Sequence, residues 1–169
     1  MGSRNPTKAK GDRAELEVAS DLLRRGYKIA FPYGEDWDFD LILCRDERLE
    51  RVQVKYTTSD GNVVTVRCRS HSLTNGRIKR TKHYTATTIG WLAVYDATTD
   101  RCYYVPGAEL AGGRYELTLR LKPAKNNQRL RIRYASDYVD PELRQVVMGM
   151  EPAGFEPATS SVQGKRSPN

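Results

Sequence analysis

Apolar and polar residues follow two different periods along this chain. From about Lys10 to Arg25 the apolar positions recur at helical spacing. With Glu15 set at zero on a helical wheel, Val18, Ala19 and Leu22 fall within about 60° of it and Leu23 near 80°. Gly11 lies one turn earlier on the same side, and Glu17 points away. Gly26 then predicts the helix stop. Beyond it the period falls to two. Tyr27–Phe31 predicts a first strand, which Pro32 ends or places at an edge. Phe39–Cys44 and Glu50–Tyr56 predict a hairpin joined by a polar turn, Arg45–Leu49. In its second run Val52, Val54 and Tyr56 share one face, and Arg51, Gln53 and Lys55 share the other.

The later segments continue this pattern. After the turn signal Asp60-Gly61, Asn62–Cys68 predicts a third strand of the hairpin's sheet. Thr85–Thr88 reads as a short helix or turn. Ile89–Tyr95 and Arg101–Val105 predict a strand pair joined at Asp96–Asp100, with Trp91, Tyr103 and Tyr104 as core and sheet aromatics. Pro106–Leu110 reads as one helical turn, stopped by Gly112-Gly113. Tyr115–Leu121 alternates, with Tyr115, Leu117, Leu119 and Leu121 on one face. Tyr134–Tyr138 leads to Asp140-Pro141, a start signal for a last helix through Val147 that closes near Gly149.

Glu15 interrupts an otherwise apolar stripe. A lone buried carboxylate is costly, so such a group normally has a cation partner. Two readings stand. Glu15 completes a capping box with Asp12, or it is a carboxylate of a functional site.

Composition and charge narrow the function classes. A chain of 169 residues suits one domain with enough core to fold alone. It has no apolar run long enough for a transmembrane helix, and its N-terminal region lacks the apolar stretch of a secretory signal. Cys44, Cys68 and Cys102 have no metal-ligand spacing and are odd in number, so a disulfide framework is not expected and a cytoplasmic setting is. The formal net charge is +7. Glu151, Glu156, Lys165 and Arg166 cancel, so the excess sits before residue 151. A basic surface without a basic amphipathic helix favours nucleic acid over a membrane. From Arg67 to His83 no acidic residue appears; the run reads either as a solvated loop or as a nucleic-acid contact through Arg67, Arg69, Arg77, Lys79, Arg80 and Lys82. His71 and His83 read as surface or loop histidines. A second basic cluster comprises Arg120, Lys122, Lys125, Arg129, Arg131 and Arg133, with Lys125 and Arg129 as its DNA-contact candidates.

The chemistry gathers at the hairpin. Asp40 opens its first strand, and Gln53-Val54-Lys55 lies on its second. Oxygen ligands beside an ammonium are what a metal site for phosphodiester cleavage requires. Taken alone, Gln-x-Lys also reads as a solvent-facing strand face.

Glu15, Asp40 and Gln53-Val54-Lys55, with twelve residues between Asp40 and Gln53, resemble the PD-(D/E)XK nuclease superfamily. The Gln variant resembles the branch of intron-encoded homing endonucleases, as does Leu121–Tyr138 with Asn126-Asn127-Gln128 and Tyr134–Tyr138. The likeness covers roughly residues 9–140. Phe39 rather than Pro precedes Asp40, and Asp38 is a second candidate for the aspartate. The resemblance implies an α/β (α+β) restriction-endonuclease-like core, with a mixed central sheet flanked by helices in αβββαβ order and extra C-terminal strands. It implies a Mg²⁺-dependent DNA endonuclease, with Mn²⁺ as a substitute. Glu15, Asp40 and Gln53 would be metal ligands, and Lys55 would position or activate the attacking water. The implied partners are double-stranded DNA and further copies of the chain, as a dimer or tetramer. A structure-specific repair or junction-resolving nuclease and a non-catalytic nucleic-acid-binding module are the alternatives.

The domain is expected over 9–148, with disordered ends at 1–8 and 149–169. The codon pattern for Gly154-Phe155-Glu156-Pro157 accommodates the T-arm of a tRNA gene, so the tail resembles translated tRNA-gene sequence.

Overall fold

A computed structural model describes residues 6–34, 37–74, 77–110, 114–123 and 132–143, with backbone alone at 71–74 and 77–80. Helix α1 runs Pro6–Arg24. Proline at its start has a pre-set φ and no N–H that the helix would need. Residues 6–8 are therefore helical, not part of a disordered end. Asp12 and Glu15 lie well inside the helix, which removes the capping-box reading. Gly26 follows with φ +85° and ends the helix.

The strands are β1 (Lys28–Ala30), β2 (Leu41–Arg45), β3 (Arg48–Thr57), β4 (Val63–Arg67), β5 (Arg69–Thr74), β6 (Arg77–His83), β7 (Trp91–Asp96), β8 (Arg101–Pro106) and β9 (Glu116–Arg120). Five form the central sheet, in the order β1-β2-β3-β7-β8. β3 pairs with β7 in parallel, and the other pairs are antiparallel. Turns η1 (Gly107–Leu110) and η2 (Ala135–Tyr138) are 3₁₀.

Three features depart from the sequence reading. The β2–β3 turn is shorter than Arg45–Leu49. Arg45 pairs with Arg48, so only Asp46 and Glu47 turn, both with positive φ. That is the two-residue form whose twist matches paired strands. The Asn62–Cys68 strand exists but does not extend the hairpin's sheet: β4 pairs with β9 in a separate two-stranded sheet. The αβββαβ order also changes among the described residues, because the crossover from β3 to β7 carries β4, the β5–β6 ribbon and a turn at residues 86–88 where that order has its second helix. The last helix is described only at 141–143, and Gly112-Gly113 and 144–169 lie outside the described residues.

The result is three layers. Ala14, Val18, Ala19 and Leu22 of α1 cover one face of the central sheet, against Leu41, Val52, Val54, Ala93 and Tyr104. Each fully buried Val or Leu there contributes roughly 1.5–3 kcal/mol. Leu23, at the margin of the predicted stripe, is exposed. The other face packs Leu92, Val94, Tyr103 and Val105 against Val64, Val66, Leu117 and Leu119 of the β4–β9 sheet. β7 is buried along its whole length, which accounts for its unbroken apolar run.

Asp96 ends β7 with no exposed surface. Burial pushes its carboxyl up, but hydrogen bonds from the Ser59 hydroxyl and backbone N–H, the Thr99 hydroxyl and the Thr98 N–H outweigh that and hold it below the usual carboxylate range. Gly107 is fixed by space. A Cβ there would lie 2.1 Å from the Ile89 carbonyl oxygen. Gly107→Ala should therefore lower stability by about 1–3 kcal/mol, measured by urea unfolding; unchanged stability would mean that the Ile89 backbone moves aside freely.

Candidate active site

β3 runs on beyond the start of β2, and this offset builds the site. Asp40 is the last residue to join the ladder, its N–H donating to the Val52 carbonyl at 2.9 Å. The next β3 donor on that side, Val54 N–H, meets no β2 backbone. It donates instead to Asp40 Oδ2 at 2.6 Å. Gln53 Nε2 donates to the same oxygen. The amide is thereby oriented, and Oε1 is the acceptor atom it retains.

Lys55 is half-buried, with Nζ 5.1 Å from the centroid of the Tyr84 ring. Burial raises the Asp40 carboxyl above its usual range, opposed by the Val54 N–H and the positive charge of Lys55. Glu15 is half-buried on α1. Burial raises it first, followed by the negative charges of Asp40 and Asp12. Two carboxylates thus lie close enough to repel, beside an ammonium and a spare amide oxygen. Among the described residues no three His, Cys, Asp or Glu side chains cluster as a metal site. A cation held here would take two carboxylates, an amide oxygen and waters. That hard-oxygen set suits an ion that keeps part of its hydration shell.

Asp38, the competing aspartate, is mostly exposed and ion-paired with Lys82 of β6. Among the basic candidates, Lys82 is therefore engaged within the chain. Arg69 lies over the Tyr115 ring at 4.4 Å. Arg67 is largely exposed, 3.9 Å from Glu116. Arg77, Lys79 and Arg80 lie on β6, paired with β5 in a ribbon rather than a loop. Lys125 and Arg129 lie outside the described residues, and Arg133 of that cluster pairs with Glu109 at 3.0 Å. His83, read as a surface or loop histidine, ends β6 half-buried against Tyr115, and its Nδ1 has no hydrogen-bond partner among the described residues. Tyr84, the ring beneath Lys55, was not signalled by the sequence, since Lys55 and Tyr84 meet only through the crossover. A larger cavity, about 570 Å³, lies at the Asp46–Glu47 turn and holds none of these residues.

A helix against a mixed sheet, with the central parallel pair β3–β7, is the restriction-endonuclease-like fold. The chain belongs to the PD-(D/E)XK endonuclease family, whose sequence profile matches residues 5–141. Members of this family hydrolyse phosphodiester bonds, typically with divalent metals. Among solved structures, the chain resembles the bacterial homing endonuclease I-Ssp6803I, with a TM-score of 0.59 and 22% identity over 86% of this chain and 95% of that one. No curated protein matches the chain.

Proposed function

We propose that this protein is a Mg²⁺-dependent homing endonuclease that cuts double-stranded DNA for a mobile intron or element. The observation that carries this reading is the meeting of Asp40, Gln53 and Lys55 where β3 outruns β2, with Glu15 of α1 beside them. The Gln-x-Lys variant and the fold likeness to I-Ssp6803I support the homing assignment.

Glu15, Asp40 and Gln53 Oε1 would hold the cation. Bound there, a divalent ion supplies Lewis-acid polarisation of the phosphate and lowers the pKa of an attacking water. Lys55 orients that water and stabilises the negative charge that develops on the phosphoryl oxygens. The Val54 N–H fixes the Asp40 carboxylate, so its orientation does not depend on the cation.

The β5–β6 ribbon carries basic residues and no acidic ones. A two-stranded ribbon fits the DNA major groove. Replacing Arg77, Lys79 and Arg80 together by Ala should weaken binding to all sequences alike. It should also flatten the dependence of log K on log salt by roughly 0.9 per lost phosphate contact. An unchanged slope in a filter-binding titration would place this ribbon away from DNA.

One site cuts one strand, so a double-strand break calls for a symmetric homo-oligomer, dimer or tetramer. Incubating supercoiled plasmid carrying the host insertion locus with Mg²⁺, and separately with EDTA, tests the whole reading. Linear product that requires Mg²⁺ supports it, and nicked circles alone point to a single working site. Cleavage confined to branched DNA would identify a junction-resolving enzyme. Binding without any cleavage would leave a DNA-binding module.

A further inference from the structure

Beside Lys55 a cleft of about 380 Å³ opens between α1, β3 and β4. Lys10 of α1, Arg67 of β4, the threonines Thr58 and Thr65, and one carboxylate, Glu116 of β9, line it. Lys10 is exposed, and its Nζ lies 5.5 Å from the centroid of the Tyr56 ring, another residue that lines the cleft. Arg67 is largely exposed, and its one acidic neighbour, Glu116, is 3.9 Å away, a loose contact that a phosphate displaces.

Gly11 adds an independent observation. It sits inside a 19-residue helix, where glycine is unfavourable relative to alanine. Neither packing nor backbone requires it: a Cβ there meets nothing within 4 Å, and its φ is not positive. It lies one turn before Glu15 on the same side of α1. The space over Gly11 is therefore open on the Glu15 side of α1, next in sequence to Lys10 of the cleft.

Resting on the nuclease reading above, we propose that this cleft is the track of one DNA strand leading to the scissile phosphate. Lys10 and Arg67 contact successive phosphates. The threonine hydroxyls supply uncharged donors. Gly11 leaves room where the sugar–phosphate backbone passes over α1.

The test is DNA binding by the full chain, titrated against salt in EDTA, with cleavage in Mg²⁺ measured separately. Lys10→Ala and Arg67→Ala should each weaken binding several-fold and flatten the salt slope by roughly 0.9. Gly11→Ala should raise the melting temperature yet weaken binding, a split that a purely structural glycine does not produce. A wild-type slope in both Lys10→Ala and Arg67→Ala overturns the track, and wild-type affinity in Gly11→Ala removes Gly11 from it. A wild-type chain that binds DNA but cleaves none overturns the nuclease reading, and the slope still decides the track. A wild-type chain that binds no DNA overturns both.

Discussion

Lys55→Ala should abolish detectable cleavage while leaving DNA affinity within a few-fold of wild type. The side chain makes two contributions of different size. Its contact with Tyr84 is a cation–π interaction, worth about 0.5–2 kcal/mol. Loss of that amount leaves a domain of this size folded. Its second contribution is a positive charge beside the Asp40 carboxylate, where, on the proposed reading, the phosphoryl charge would build up during cleavage. Removing one such group typically lowers the rate by about 10²–10³. Asp40→Asn should match it, because the neutral amide is a poor ligand for a divalent cation. Full cleavage by Lys55→Ala at normal stability would move the chemistry elsewhere on the chain.

Glu15→Gln should separate stability from activity. The folded protein holds the Glu15 carboxyl above its ordinary value, so folding takes up protons there. Its favourable contribution is fully present below the unfolded-state value and is lost as pH rises through the folded one. At neutral pH, without metal, ionised Glu15 therefore works against the fold. Gln at this position should raise the melting temperature at neutral pH, and the gain should vanish below about pH 4. A divalent cation should reverse the order. It stabilises the wild type by about 2.7 kcal/mol at a hundred times its Kd, and the variant less. Cleavage by Glu15→Gln should fall about 10²-fold. Glu17→Gln is the control, since its pairing with Arg13 at 3.8 Å is a surface contact worth about 0.3–0.5 kcal/mol. If the two variants behave alike with and without metal, Glu15 is not a ligand.

The parts of this fold that were legible in the sequence are those set by local period. The stripe through Val18 and Leu22, the alternation of Val52 and Val54, and the apolar run of β7 each declare one element and one face. The Asp40–Gln53 pairing followed from a hairpin whose two strands are close in sequence. Pairing between distant strands was not legible. Val63–Arg67 alternates equally well whether its neighbour is β3 or β9, and only packing against Leu92, Val94 and Val105 decides. The Asp46–Glu47 turn was hidden because neither residue is glycine or asparagine, the usual signals of positive φ. Asp96 read as a turn residue, yet it is buried and fully hydrogen-bonded by Ser59, Thr98 and Thr99, which are arranged around it by the fold. Of the basic residues, charge alone could not separate Arg67, which is exposed, from Lys82, which is spent on Asp38.

The order of strands in the central sheet also bears on how the chain reaches its native state. Glu15, Asp40, Gln53 and Lys55 all precede the crossover, whereas the parallel neighbour of the central strand β3 comes after it, from Trp91–Asp96. The α1–β3 segment pairs through short loops, which close quickly. The β3–β7 contact must wait for a much longer loop to close, and such non-local pairing slows folding. A nascent chain that has emerged only as far as β6 already carries every residue of the chemistry, but β3 has no neighbour on its β7 side. If the proposed site is the working one, catalytic competence is therefore acquired late in synthesis, when β7 docks and fixes the strand that carries Gln53 and Lys55.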